Sequence, residues 1–354
     1  MPGVKAMNLV RPSSVSIALR NASLASLLLL ATSPVRAGVT AEDLIGRVGI
    51  APADVARLQN GEIVSYSVSE TGSKSLATGI AMYLKTAPAR IVEVIERREL
   101  IARDPDVTAR GVVPPGAGAE AFAKFAYTPA QADEARDLLN VRPGPDFNLS
   151  TEEIAGFAAL KAGLNTDDDK AVAEAVSKQY RTVLAARMQA YRSKGLAGIA
   201  AYDRGDGEKA DPAAELTDAA RASKLLGDQF PELQKALLRY PAEMPAGVDD
   251  SFGWANRTVQ GRPTPILVHR LIYARNDGAV LLQRAFYVGH SYNVSQIFAG
   301  TVPYQDGALV LYSARSSTDQ VSGMGEALKH SIGRKQMEKE MIKKFQALKA
   351  SVNG

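Results

Sequence analysis

Four strand-like segments, residues 265–274, 280–289, 294–302 and 308–315, follow one another with short links and lead straight into a long helical pattern. Segments joined this closely pair antiparallel, so they predict a meander. Asn276-Asp277-Gly278 and Gln305-Asp306-Gly307 supply hairpin turns for the outer pairs. The closing helix is expected over roughly 318–349, with Val321, Met324, Leu328, Ile332, Met341, Phe345 and Leu348 read as one apolar stripe. A curved sheet must cover its concave face, and this helix is the available partner. Gly323, Gly325 and Gly333 would let it approach the sheet, or a ligand, closely.

Upstream the pattern is sheet and then helix. Residues 38–60 hold two short helical patterns. Residues 62–69 and 75–84 read as strands joined by Glu70-Thr71-Gly72-Ser73. Thr86 offers a cap for a helix entered through Ala87-Pro88, with Ile91, Val94 and Ile95 on its apolar face. Residues 107–113 form a further candidate strand. From 128 to about 245 the periodicity is helical, with a capping box at Ser150-Thr151-Glu152-Glu153 and acids at 167–169 ahead of Val172, Val176, Tyr180 and Val183. The expected class is α+β: a curved antiparallel sheet and a long C-terminal helix, interrupted by a large helical insertion. Its parts are 38–127, the insertion 128–250, and 251–354.

Two stretches resemble the helix-grip fold of the START and related SRPBCC proteins. Residues 80–95, IAMYLKTAPARIVEVI, are similar to that superfamily's opening strand, turn and first helix. Ala308-Leu309-Val310-Leu311-Tyr312 followed by the final helix is similar to its closing elements. The likeness covers about 61–113 and 263–350, and the helical insertion departs from it. It implies a lipid, sterol or other apolar molecule held between sheet and helix, or cyclase, dehydratase or hydrolase chemistry in the same space. Fold analogy does not choose between these.

A two-residue turn at Asp277-Gly278 would set Leu271 opposite Arg284 and His269 opposite Phe286, on one face with Tyr273 and Leu282. If that face is concave, His269, Tyr273 and Arg284 are polar groups suited to orienting an amphipathic ligand. Phe286, Tyr312, Met324 and Leu328 would supply apolar lining. The alternative is an outer face, or an arginine paired with a carboxylate of the helical block. Gly289-His290-Ser291-Tyr292-Asn293 lacks the second glycine and the strand-to-helix setting of a nucleophile elbow and reads as a polar connection. Asp203-Arg204-Gly205-Asp206-Gly207-Glu208 lacks the ligand spacing of a calcium loop.

Residues 1–37 have the parts of a cleavable export signal: Lys5, Arg11 and Arg20, an apolar core around Leu27-Leu28-Leu29-Leu30, and a small residue, Ala37, before the cut. Four of the 42 basic residues lie there, leaving 38 against 38 acidic in the remainder. Such a neutral chain has little to attract a nucleic-acid backbone. With no cysteine and three histidines, none four residues apart, no metal site or cofactor is expected. The lysine-rich final helix (Lys329, Arg334, Lys335, Lys339, Lys343, Lys344, Lys349) reads as a wet face, or as a transient contact with an anionic membrane surface. The expectation is an exported, periplasmic or extracellular binding protein for a hydrophobic or amphipathic small molecule. The alternatives are an enzyme of the same fold and an envelope interaction module whose protein partner the sequence does not name.

Overall fold

The computed structural model describes residues 39–353 except Asn276 and Asp277. The export signal read in residues 1–37 lies outside the described residues. In chain order the elements are α1 (Ala41–Val48), α2 (Pro52–Gln59), β1 (Val64–Tyr66), β2 (Ser75–Leu84), α3 (Pro88–Glu96), α4 (Glu99–Ala102) and β3 (Val107–Val112). The helical block follows as α5 (Ala132–Leu139), α6 (Thr151–Ala159), α7 (Asp169–Lys194), a hairpin of β4 (Tyr202–Gly205) and β5 (Glu208–Ala210), α8 (Pro212–Arg221), α9 (Lys224–Gln229) and α10 (Pro231–Arg239). The chain closes with β6 (Val248–Val259), β7 (Arg262–Arg275), β8 (Gly278–Val288), β9 (Val294–Tyr304), β10 (Gly307–Ser317) and α11 (Glu326–Asn353).

The protein is α+β. Eight strands form an antiparallel sheet in the order β1-β2-β10-β9-β8-β7-β6-β3. The meander has five strands rather than the four expected: β6 begins at Val248, inside the range given to the helical insertion, and runs on through residues 251–259, where no element was expected. Asp249 and Asp250 hid it: acids are poor strand formers, yet both sit in the β6–β7 ladder opposite Ile272 and Leu271.

Helices cover both sheet faces. On one, Leu44, Ile45 and Leu58 of α1 and α2 pack on Ala81, Tyr83 and Leu311. Farther along, Leu226, Leu233 and Leu237 meet Leu271, Leu282 and Phe298. At the far end Val172, Val176, Tyr180 and Leu184 of α7 meet Phe252, Leu267, Phe286 and Tyr287. Both Phe286 and Tyr287 reach that cluster because a bulge interrupts the β7–β8 ladder beside Leu267 and Val268, turning successive side chains to one side. On the opposite face, Ile80, Met82, Leu84 and Val310 pack against Ile91 and Val94 of α3 and Met341, Phe345 and Leu348 of α11.

Local signals explain the helix starts. Ser150 and Glu153 form the expected capping box, and Asp168 accepts from Lys170 N and Ala171 N at the head of α7. Thr86 does not cap α3; Ala87 occupies that place and Pro88 opens the helix. The final helix also starts late. Gly323 and Gly325 take left-handed backbone, φ 82° and 76°, so they form a turn before α11 instead of lying within it. Gly333 does act as a close-approach residue: a Cβ there would come within 2.7 Å of Leu76 Cδ1.

His330 pins this end of α11 to the β1–β2 link. Its Nε2–H donates to the Ser73 carbonyl at 2.8 Å, and Nδ1 lies 2.9 Å from Glu70 Oε2. The Ser73 carbonyl first, and Glu70 after it, raise its pKa because both favour the imidazolium. A raised folded value means the stabilisation is complete below the unfolded pKa of about 6.5 and fades as pH rises through the folded one. The melting-temperature advantage of the natural chain over His330→Gln is therefore expected to shrink as buffer pH climbs from about 5.5 to about 8.5. Thermal melts across that range check it, and a gap that widens with pH would contradict the assignment.

Candidate functional site

Side chains alternate along β7, so its neighbouring residues face opposite layers. His269 points to the helical block, and Arg270 points to the face that carries α3, α4 and α11. On that second face a cleft of about 520 Å³ lies between α3–α4 and the strands β3, β6, β7 and β8. This is within the usual range of roughly 300–1,000 Å³ for a small-molecule site. Val94, Ile95 and Ile101 line it from the helices, and Val268 and Leu281 from the sheet. Arg110, Val112 and Lys124 are exposed residues at its rim.

Two arginines converge inside. Arg98 ends the α3 turn in left-handed backbone, φ 56°, a conformation that costs a non-glycine residue about 1–2 kcal/mol. Its guanidinium crosses to the sheet, where Nη2 donates to Ser251 Oγ at 3.0 Å. Gly253 leaves room beside that crossing, since a Cβ there would stand 3.1 Å from Arg98 Nη1. Arg270 rises from β7, is 8% exposed, and donates from Nη2 to the Ile95 carbonyl. Burial pushes the Arg270 guanidinium down to about 10, and repulsion from Arg98 adds to it; Asp249 and Glu96 act the other way. Burial also lowers Arg98, with Asp249 opposing. Two partly desolvated cations that repel each other beside an open apolar space form a site that favours an anion.

The residues expected to hold a ligand do not meet in one place. His269, Arg284 and Phe286 are buried under α7 and α10, and Tyr273 packs among Leu271 and Val280 on the same face. Tyr312 lies on the other face, edge-on to Phe345 at 5.5 Å. Met324 and Leu328 project from the protein, 97% and 67% exposed. The β7–β8 register differs from the expected one by two residues: Arg275 pairs with Gly278, which places His269 opposite Arg284 and Leu271 opposite Leu282. A shift of two preserves the face, so the four residues do share one, as expected. That face is the one the helical block covers, so none of them borders the space beside α11.

There they form a hydrogen-bonded chain. Asp250 Oδ1 accepts from His269 Nε2 at 2.8 Å, and the Tyr191 hydroxyl lies 2.9 Å from His269 Nδ1. Arg284 Nη1 donates to the Tyr191 oxygen at 3.3 Å and to the Leu237 carbonyl at 2.9 Å, while Nη2 reaches Gln296 Oε1 at 3.1 Å. Burial lowers the His269 pKa. The neutral ring then donates to Asp250 and accepts from Tyr191, which leaves the Tyr191 oxygen to accept from Arg284. The buried Arg284 Nε has no hydrogen-bond partner among the described residues. Phe286 stacks on Tyr191 at 4.1 Å between centroids, and Phe252 stacks on His269 at 4.6 Å. The arrangement holds a fully buried guanidinium, and its first carboxylate is Asp250, two side chains away.

His290 is buried in the β8–β9 connection, between Thr264 Oγ1 at 2.7 Å and Ser291 Oγ at 2.6 Å, and burial pushes it down to about 4. The 203–208 stretch forms the β4–β5 hairpin, and Arg204 there pairs with Asp319 at 2.9 Å. Among the described residues, no group of three His, Asp or Glu side chains stands close enough to hold a metal ion. Likewise, no described helix is long and apolar enough to cross a membrane. Compared with protein-family models, curated proteins and solved structures, the chain has no match.

Sequence reasoning passed over Arg98, Arg270 and Gly253. Arg270 was legible as the neighbour of His269 on the opposite side of one strand. Arg98 was not, because its reach depends on a left-handed turn no local pattern announces. The buried chain makes its own prediction. Tyr191→Phe keeps the ring stack but leaves His269 Nδ1 without its partner and Arg284 with one bond fewer. It is expected to cost about 1–3 kcal/mol in urea unfolding. A loss under about 0.5 kcal/mol would mean that water replaces the hydroxyl.

Proposed function

We propose that the protein binds an anionic amphiphile, a hydrophobic body ending in a carboxylate or phosphate, in the cleft between α3–α4 and the sheet. The observation that carries this reading is the convergence of Arg98 and Arg270 on a space of about 520 Å³ with apolar walls from Val94, Ile95, Ile101, Val268 and Leu281, and with Gln283, Arg110 and Lys124 as its other polar lining. Arg270 has one carbonyl, that of Ile95, and Arg98 one hydroxyl, that of Ser251, while Asp249 and Glu96 offset only part of their burial. An anionic headgroup would relieve the remaining burial and repulsion. The apolar lining from Ile95, Ile101, Val268 and Leu281 would take the body of the ligand.

Two features support a helix-grip likeness. The α3–α4 pair and α11 lie on the same sheet face, and β2, which precedes the pair, is hydrogen-bonded to β10, which precedes α11. In this reading the chain is exported and acts as a carrier. The ligand space is beside α3–α4, while the junction of α11 with β2 and β10 is packed by Met341, Phe345 and Leu348.

Native mass spectrometry of gently purified protein is expected to reveal a co-purifying acidic lipid or other anionic amphiphile. A fluorescent fatty acid should be taken up with an affinity that falls about tenfold or more in Arg270→Met and in Arg98→Ala. Both variants are checked by thermal melting, and Tyr191→Phe should bind normally because its chain lies on the other face. Folded arginine variants that bind as well as the natural chain would remove the proposal.

A further inference from the structure

The start of α11 and the turn before it expose what a folded protein normally hides. Leu328 and Ile332, one turn apart on the helix, are 67% and 57% exposed, and Met324, in the turn between Gly323 and Gly325, is 97% exposed. They are not waiting to fold inward. The other side of the same helix is already fixed, by His330 to Ser73 and Glu70, by Arg334 to Glu70 at 3.0 Å, and by Gly333 against Leu76.

The charges sort in the same way. At about 100° per residue, Lys335 and Lys339 continue the line of Leu328 and Ile332 toward the carboxy terminus. Both lysines are exposed. The helix's acids are turned elsewhere: Glu326, a turn before His330, acts on that ring, Glu338 accepts from Ser65, and Glu340 pairs with Arg257 at 3.5 Å. The outward side is therefore an apolar tip followed by unbalanced cations. Apolar side chains seated below the headgroups, with lysines at the phosphates, are the two parts of interfacial attachment to an anionic bilayer.

We infer that this face docks the protein on an anionic membrane surface, with Met324, Leu328 and Ile332 entering the headgroup region and Lys335 and Lys339 holding its phosphates. The inference does not depend on the cleft, and either could hold without the other.

Co-flotation with vesicles of phosphatidylglycerol and phosphatidylcholine tests it, with pure phosphatidylcholine as the comparison. The full chain and the chain starting at Gly38 are run in parallel, with folding verified by circular dichroism. Binding to the anionic vesicles is expected in both and should weaken with added salt. Combined Met324→Ser, Leu328→Ser and Ile332→Ser should lower affinity about tenfold or more. Lys335→Gln with Lys339→Gln should lower it about fivefold per lysine at low salt. These positions are solvent-facing, so melting temperatures should hold. Unchanged flotation of the folded serine variant overturns the inference. So does failure of the Gly38 chain to bind anionic vesicles, or a dimer at matched concentration that the serine substitutions dissolve, which would make a second copy the occupant.

Discussion

The pairing of β2 with β10 is the constraint from which the rest of the architecture follows. It joins the amino-terminal part of the chain to its last strand over ten consecutive positions, from Ser75 opposite Ser317 to Leu84 opposite Ala308. Every residue of β2 is buried, so both faces of the sheet must be covered at that strand. Alternation then assigns the covers. Ala81 and Tyr83 meet α1 and α2, while Ile80, Met82 and Leu84 meet α3 and α11. Gly79 lies under the ring of Tyr66, its cross-strand partner on β1, and Gly333 lies against Leu76, so one glycine makes room within the sheet and the other brings α11 onto it.

Away from β2 the two faces handle positive charge in opposite ways, although the residues involved are neighbours on β7 and β8. On one side Arg284 is sealed by the helical block, and its hydrogen bonds end in side chains and a carbonyl that the fold supplies. A buried cation so held serves the uniqueness of the packing. On the other side Arg270 and Arg98 are brought together beside space. The difference lies in what the covering layer provides. α7 and α10 close over Arg284, whereas the short α3–α4 pair leaves its arginines beside a cleft of about 520 Å³.

Much of the architecture was legible because strand alternation and turn chemistry are local. The 75–84 strand matches β2 residue for residue, and the meander and its shared face for His269, Tyr273 and Arg284 follow from period two. What covers His269, Tyr273 and Arg284 was not legible, because alternation says which residues share a face and does not say what packs on it. The added strand β6 and the two-residue change in register came from turns and acids whose cost the ladder overrides.

The final helix shows where the division lies. Its helicity, and the separation of its apolar residues into two groups, were properties of the sequence alone. Ile332 is nine residues from Met341, two and a half turns, so no straight helix can bury both against one sheet. Reading them as one stripe overlooked that arithmetic. Which group is buried was decided by tertiary structure, through Gly333 against Leu76, His330 on the β1–β2 link, and Phe345 against Tyr312. A helix has no inside until something packs on it, and the sheet chose the side.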